Sequence, residues 1–213
     1  MPTLHSLQCD EAHFEPNCFA PLPTSLSLTS VHFADAGFAR SNLLPFVAAM
    51  LTLRCLSLLH PQLYSSAFLE LCTSPALSSL EELRLADWIP FDQLIRAAIS
   101  PDHLALGFAA LRSLRVIRLA GVDDGGRIIE ALRHAPALTQ LFLRIDSDNW
   151  LSRRNSIEIA LRGAPNRLCV EIVARHPTAP STLRHLRSMV LSLRGFGADR
   201  VRLGERWCGP LES

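Results

Sequence analysis

Two arginines and one phenylalanine occupy matching places in a repeated apolar pattern. Arg84, Arg118 and Phe142 each lie between two apolar residues of a short strand-like segment. Because side chains alternate between the two faces of a strand, all three are predicted to point away from the core. An arginine offers a planar fork of donors and an aromatic ring offers contact area, which together suit a protein-binding hot spot. The sequence therefore predicts a binding surface centred on these residues, with a carboxylate-bearing partner as its complement.

Further residues with the same outward direction extend this predicted surface. Its flanking members are Arg54, Glu81, Glu82, Arg115 and Arg144. The central row is predicted to read Ser27, Ser57, Arg84, Arg118, Phe142 and Glu171. The row beside it is predicted to read Ser25, Cys55, Glu82, Val116, Gln140 and Cys169. A second interpretation stays open, in which the face is simply solvated and its mixed charges satisfy one another.

A repeated Leu-x-x-Leu-x-Leu pattern predicts the elements that position these side chains. Clear copies begin at Leu53, Leu80, Leu114 and Leu138, and weaker copies begin at Leu4, Pro23, Arg167 and Leu186. The central copies and the one at Pro23 predict parallel strands near 26–28, 55–58, 82–85, 116–119 and 140–143. Between the copies the apolar period changes, which predicts helices at 41–50, 65–72, 91–99, 102–111, 124–133 and 154–163. One strand and one helix cannot bury their apolar faces alone, so the units are expected to stack.

The repeats resemble those of leucine-rich repeat proteins with irregular units, similar to the repeat regions of F-box and ribonuclease-inhibitor-like proteins. The resemblance implies an α/β solenoid with a curved parallel sheet on its concave face and helices on its convex face. It covers residues 22–193, with 1–21 as a degenerate first repeat or cap and 194–213 as a C-terminal cap or flexible tail. The family's asparagine after the strand is missing, since Ala86-Asp87 and Ala120-Gly121 stand there.

The resemblance implies a non-catalytic scaffold that binds a protein, such as the substrate-recognition part of an F-box-like ubiquitin-ligase receptor. No F-box is visible, because Leu22-Pro23 is followed at once by strand-like residues. A ubiquitin-ligase adaptor is therefore expected only through a module absent from this chain.

The basic residues are unusual in type and in distribution. All 21 are arginine; residues 1–110 hold 4 arginines and 10 acids, whereas residues 111–213 hold 17 arginines and 10 acids. The formal net charge of +1 provides no global field for nucleic acid or an anionic membrane. An arginine-mediated nucleic-acid binder nevertheless stays open as an alternative function.

No motif for catalysis or cofactor binding is present. The glycines in 121–126 fit neither a phosphate-binding nor a dinucleotide-binding spacing. We therefore predict no enzyme activity and no cofactor, and keep an α/β enzyme with an unrecognised site as the other alternative. His5, Cys9, His13 and Cys18 are four candidate zinc ligands, but their spacing matches no common module, so no metal site is predicted.

Cysteine usage and hydropathy indicate the expected compartment. The six cysteines lie far apart, several within apolar runs, which is typical of reduced and partly buried thiols. No signal peptide or membrane span is predicted, so a cytoplasmic or nuclear location is expected. Trp88 and Trp150 are predicted to follow strands in connecting loops, and the sequence does not decide whether they are exposed.

Overall fold

The computed structural model describes residues 4–10, 13–14, 27–34, 37–38, 47, 50–59, 65–86, 100–121, 125–145, 150–163, 168–174, 180–193 and 200–204. Ten strands lie in these ranges: β1 Ser6–Asp10, β2 His13–Phe14, β3 Ser30–Ala34, β4 Gly37–Phe38, β5 Cys55–Leu59, β6 Glu82–Ala86, β7 Val116–Ala120, β8 Gln140–Ile145, β9 Cys169–Ala174 and β10 Val201–Leu203. The described helices are α1 Ser65–Thr73, α2 Pro101–Ala110, α3 Gly125–Ala131, α4 Trp150–Gly163 and α5 Pro180–Leu193. Short 3-10 helices span Pro75–Ser79 and Leu132–His134.

Eight of these strands form one parallel sheet in the order β1-β3-β5-β6-β7-β8-β9-β10. Each strand of this sheet therefore lies beside the sheet strand that precedes it in the chain. The separate strands β2 and β4 also pair in parallel, His13 with Gly37 and Phe14 with Phe38. From β5 to β9, each intervening connection carries a helix, so the protein is a mixed α/β fold built on a parallel sheet.

The leucines of the repeat stack in two apolar rows across the central strands. The register aligns Leu83 with Ile117 and Ile117 with Leu141. Leu85, Leu119 and Leu143 form the parallel row two residues further on, and the members of both rows are buried. The predicted strands at 55–58, 82–85, 116–119 and 140–143 and their parallel pairing are confirmed.

The helices cover the sheet face to which these leucines point. Phe68 of α1 and Phe108 of α2 meet with ring centroids 5.1 Å apart and ring planes at 58°. Both rings belong to the same buried cluster as Leu83 and Ile117. Burial of this continuous apolar layer is the main favourable contribution to folding.

Local signals place the helices close to where the sequence predicts them. Helix α2 begins after Ser100, whose hydroxyl accepts a hydrogen bond from the His103 N–H at 3.3 Å, and Pro101 occupies its first turn. The predictions at 65–72, 102–111, 124–133 and 154–163 are confirmed within a few residues. The predicted helices at 41–50 and 91–99 fall almost wholly outside the described residues.

The strand predicted at 26–28 is wrong by about five positions. The aligned copy is Leu28-x-x-Val31-x-Phe33, because Val31 pairs with Leu56 and Phe33 with Leu58. The serine- and leucine-rich segment before it has the same alternation but fewer β-branched and aromatic residues, which favour strands. The row positions assigned to Ser27 and Ser25 belong instead to His32 and Ser30.

Two further corrections concern the C-terminal part of the chain. The copy predicted to begin at Leu186 is not a strand, since 180–193 is helix α5. Among the residues of α5 whose side chains are described, Met189, Val190 and Leu193 are buried, with the spacing of a helical face, and Leu191 is exposed. Within 194–213, predicted to be a C-terminal cap or a flexible tail, Val201–Leu203 form β10, paired with Val170–Ile172 of β9. Trp150 begins α4 and is not a loop residue, whereas Trp88 lies outside the described residues.

Candidate partner-binding surface

One residue from each strand of the main sheet contributes to a continuous row on the face opposite the leucines. We name this row the central ladder; it comprises Gln8, His32, Ser57, Arg84, Arg118, Phe142, Glu171 and Arg202. Adjacent strands of a sheet lie about 4.8 Å apart, so neighbouring side chains of the ladder are within contact distance. The ladder contains the predicted Arg84, Arg118 and Phe142, and adds His32, Gln8 and Arg202.

Two arginines of the central ladder share one carboxylate from the row beside it. Glu82 Oε1 accepts a hydrogen bond from Arg84 Nε at 2.9 Å and from Arg118 Nε at 2.7 Å. We name these three residues the arginine–glutamate cluster; their side chains are 22%, 17% and 22% exposed for Arg84, Arg118 and Glu82. Two cations around one anion leave the cluster with a net charge of +1.

The protonation of Glu82 follows from its surroundings. Burial on its own raises the pKa of a carboxyl group, but the hydrogen bonds from Arg84 and Arg118 outweigh that effect and lower the pKa of Glu82 below its ordinary value. Glu82 is therefore ionised at neutral pH and holds both guanidinium groups in place. Both arginines are therefore partly shielded from solvent and paired with a carboxylate on the same face.

Phe142 stacks on the guanidinium group of Arg118. The Arg118 Cζ atom lies 4.0 Å from the centroid of the ring. A cation above an aromatic face is attracted by the ring quadrupole, the more so where the pair is shielded from water. Arg118 is thus held on one side by Glu82 and on the other by Phe142, which limits its conformational freedom.

The remaining predicted residues lie around this centre. Arg54 and Glu81 form an exposed ion pair, with Nη1 and Oε1 2.9 Å apart, on the amino-terminal side of the strands. Arg115 is exposed in the same row, where its N–H donates to the Glu81 carbonyl. Arg144 lies on the carboxyl-terminal side, aligned with Ala120 and Val173. The structure therefore brings Arg84, Arg118, Phe142 and Glu82 into contact, and places the other four on two different sides of them.

The carboxyl-terminal side of this face contains a small buried apolar cluster. Ala86, Ala120 and Val173 form a second buried cluster, against which Leu59 and Phe142 pack. Phe142 is thus the border between the apolar cluster and the charged part of the face. Arg144, which lies in the same row as Ala120 and Val173, is partly exposed.

A pocket of about 140 Å³ opens beside Phe142, where β8, β9 and β10 meet. We name it the edge pocket; its lining residues are Gln140, Leu141, Phe142, Cys169, Glu171, Arg200 and Arg202. Glu171 Oε2 accepts a hydrogen bond from Arg202 Nε at 2.6 Å. The Nε of Arg200 donates to the Leu168 carbonyl at 3.0 Å.

A glycine permits this arrangement of the edge pocket. A Cβ atom at Gly204 would overlap the Glu171 carboxylate and lie 2.9 Å from Val173 Cγ2. The absence of a side chain there lets Glu171 lie against the backbone after β10 while it pairs with Arg202. Sequence reasoning missed Arg200 and Arg202, because the alternation Val201-Arg202-Leu203 is too short to indicate a strand.

A serine and a histidine occupy neighbouring positions of the central ladder. His32 Nδ1 and Ser57 Oγ are 2.7 Å apart, and the Ser57 side chain is only 3% exposed. A hydroxyl with so little access to solvent is better placed to satisfy a buried polar partner than to attack a substrate. Within the described residues, histidines, cysteines and acids form no group of three or more suited to a metal ion. Cys18 and the side chains of Cys9 and His13 lie outside that description.

The cysteines with described side chains differ in environment. Cys72 is buried in α1, and burial raises the pKa of its thiol well above the ordinary value. Burial also raises the pKa of Cys55, against an opposing effect of Arg84. Cys169 is exposed at the edge pocket. None of the helices in the described part of the chain combines the length and apolar content needed to cross a membrane.

The sequence matches no family model, and neither the curated proteins nor the solved structures contain a significant match to it.

Proposed function

We propose that the chain is a leucine-rich repeat solenoid that binds a protein partner on the central ladder and performs no catalysis. The arginine–glutamate cluster with its stacked Phe142 is the observation that carries this proposal. Repetition of one strand per unit, in chain order, supports the solenoid, because each unit then contacts mainly its neighbours.

The cluster has the properties of a preorganised anchor. Arg118 is already held by Glu82 and Phe142, so little side-chain entropy is lost when a partner binds it. The net charge of +1 and the planar donors favour a carboxylate on the partner. Phe142 adds apolar area next to those donors, which is the combination found at binding hot spots.

Affinity capture from native cell extract tests this proposal. The baits are the wild-type chain, the double variant Arg118→Gln/Phe142→Ala, and the double variant Arg187→Gln/Leu191→Ala on the exposed side of α5. The second double variant is a matched control, since it also removes one guanidinium group and one apolar side chain, but from α5 and not from the central ladder. Circular dichroism melts establish that all three baits are folded.

We expect the wild-type and control baits to retain proteins that the Arg118→Gln/Phe142→Ala bait does not retain. Calorimetry with the purified partner should then show an affinity loss of at least about tenfold, which is 1.4 kcal/mol. Identical capture by all three folded baits would exclude the central ladder as the binding surface.

A further inference from the structure

The arginine–glutamate cluster keeps unused hydrogen-bond donors. Arg84 and Arg118 each donate to Glu82 through Nε, which leaves the N–H groups on both Nη atoms of each guanidinium group. Among the described residues, no side chain or carbonyl accepts from these Nη atoms. None of these Nη atoms is buried without a partner, so they reach solvent. With its net charge of +1, the cluster is therefore suited to one partner carboxylate.

Phe142 connects this cluster to the edge pocket. The Arg118 Cζ atom lies 4.0 Å from the centroid of its ring, and the same residue lines the pocket. A partner group that is bonded to Arg118 therefore lies close to the mouth of the pocket.

The edge pocket suits one uncharged, apolar side chain. Its volume of about 140 Å³ is close to the roughly 150 Å³ cavity that accommodates benzene in an engineered protein core. Phe142 provides an aromatic wall. Glu171 and Arg202 are already paired with each other, so neither presents an uncompensated charge to a ligand. A charged group would lose its hydration in this pocket without gaining an ionic partner from that pair.

The distance between the cluster and the pocket follows from the strand order. Arg118 lies on β7, and the pocket lies where β8, β9 and β10 meet, so its centre is about two strand spacings, or about 10 Å, from β7. In an extended chain, residues i and i+2 point to the same side and are about 7 Å apart. The lengths of an acidic and an apolar side chain cover the remaining distance.

We propose that the central ladder binds an extended partner segment in which one acidic and one apolar residue are separated by a single residue. This inference rests on the proposed function and specifies its partner. The carboxylate accepts hydrogen bonds from the Nη atoms of Arg84 and Arg118, and the apolar side chain enters the edge pocket against Phe142. A nucleic-acid strand fits less well, because Glu82 and Glu171 lie along the same face and would repel successive phosphates.

Selection from a random dodecapeptide library displayed on phage tests the pattern. The library is selected on the wild-type chain, and enriched peptides are synthesised. Their affinities are measured by calorimetry for the wild type, Arg118→Gln, Arg118→Gln/Phe142→Ala, Cys169→Leu and the control Arg187→Gln. Cys169→Leu places a larger side chain in the lining of the edge pocket and leaves the arginine–glutamate cluster intact.

Three altered forms of each peptide complete the experiment. In one the acid is replaced by its amide, in the second the apolar residue is replaced by Ala, and in the third the intervening residue is replaced by Ala as a control. Measured on the wild-type chain, they give a result that does not depend on how well a variant folds. Measured on the variants, they close double-mutant cycles between each peptide residue and its site.

We expect enriched peptides to share the acid and the apolar residue, with one residue between them. The amide replacement and Arg118→Gln should each lower affinity about tenfold, and the two effects should not add. Replacing the apolar residue by Ala and Cys169→Leu should each lower affinity by about tenfold or more, again without adding. Arg187→Gln and the replaced intervening residue should have little effect.

Four results would overturn the inference, and they separate it from the proposed function. An acid that couples to Arg118 beside an apolar residue that does not couple to Cys169 would refute the pattern and leave the proposed function standing. A library without enriched peptides would do the same, since affinity capture tests the proposed function separately. Enriched peptides that bind Arg118→Gln/Phe142→Ala as tightly as the wild type would count against both. Tighter binding of a twelve-nucleotide oligouridine to the same ladder residues would replace the peptide by a nucleic acid.

Discussion

Glu82 is the residue on which the arrangement of both arginines depends. Its one oxygen holds Arg84 and Arg118 on neighbouring strands, and the side chains of all three are mostly shielded from solvent. Without this carboxylate, two guanidinium groups would remain close together in a poorly solvated place. Removing one member of a shielded charged network generally costs more than the intact interaction contributes.

Replacing Glu82 by Gln should lower the free energy of unfolding by about 1–3 kcal/mol at pH 7. The folded pKa of Glu82 is below its unfolded value, so its stabilisation is fully present above the unfolded pKa of about 4.5 and is lost as the pH falls through the folded pKa. The stability difference between wild type and Glu82→Gln should therefore shrink below about pH 4.5.

Urea unfolding at a series of pH values from 7 to 3 measures this difference. The exposed Glu70 of α1 provides the control, since Glu70→Gln should change stability little at any of these values. A stability difference for Glu82→Gln that stays constant across the series would contradict the assigned role.

At the scale of elements, the sequence predicts strands well where leucine repeats are regular and poorly where other residues replace leucine. Leu83, Ile117 and Leu141 identify their strands because alternation and the following helical period agree. Near Val31 and Phe33 the chain offers two possible strand positions with alternating apolar residues, 26–28 and 30–34. Only the pairing with the next strand, β5, decides between them. The segment 186–191 satisfies the strand pattern by coincidence, and the longer helical spacing of α5 prevails.

The candidate site is predictable to a similar degree. The alternation of side chains along each strand places Arg84, Arg118 and Phe142 on one face of the sheet. This placement is predictable because it depends only on backbone geometry. The shared Glu82 oxygen and the stacked ring depend on side-chain conformations, which the sequence does not determine. The edge pocket requires β10, a strand of three residues with too short an alternation to be recognised.

Strand β10 should contribute measurably to stability although it is short. Val201 is 1% exposed and belongs to the main core, whereas the neighbouring Arg202 side chain is 72% exposed. We expect Val201→Ala to cost roughly 1–3 kcal/mol, and Arg202→Ala to cost less than about 1 kcal/mol because exposed ion pairs contribute little.

Thermal or urea denaturation of the two variants distinguishes a docked strand from a peripheral one. Equal and small effects at both positions would show that β10 does not pack on the sheet edge.

At the scale of the whole molecule, the strands of the main sheet pair in the order in which they occur in the chain. Leu119 lies in the middle of the sheet, where it is buried between Leu85 and Leu143 of the two adjacent strands. Leu119→Ala should lower the free energy of unfolding by about 2–5 kcal/mol, the usual range for truncating a buried leucine. Since β7 pairs with β6 on one side and β8 on the other, protection of amide hydrogens should fall most in these three strands.

Hydrogen exchange with mass spectrometry, combined with chemical denaturation, tests this expectation. Leu106→Ala is the control, because Leu106 is an exposed leucine on α2. An unchanged denaturation midpoint for Leu119→Ala, or an equal loss of protection in β1 and β7, would contradict the linear arrangement of contacts.

The agreement between strand order and chain order also has a consequence for synthesis on the ribosome. Equivalent residues of adjacent strands are 24 positions apart from Leu7 to Val31 and 34 apart from Leu83 to Ile117. At about 5–20 residues per second, a new strand emerges every 1–7 s or so, and its neighbour in the sheet has always been made already. Helices and short loops form in microseconds or less, so each strand has time to dock before the next appears. The nascent sheet would therefore grow strand by strand in chain order, with a fresh unpaired edge exposed for seconds at every step, and neighbouring nascent chains would have that interval in which to pair with it.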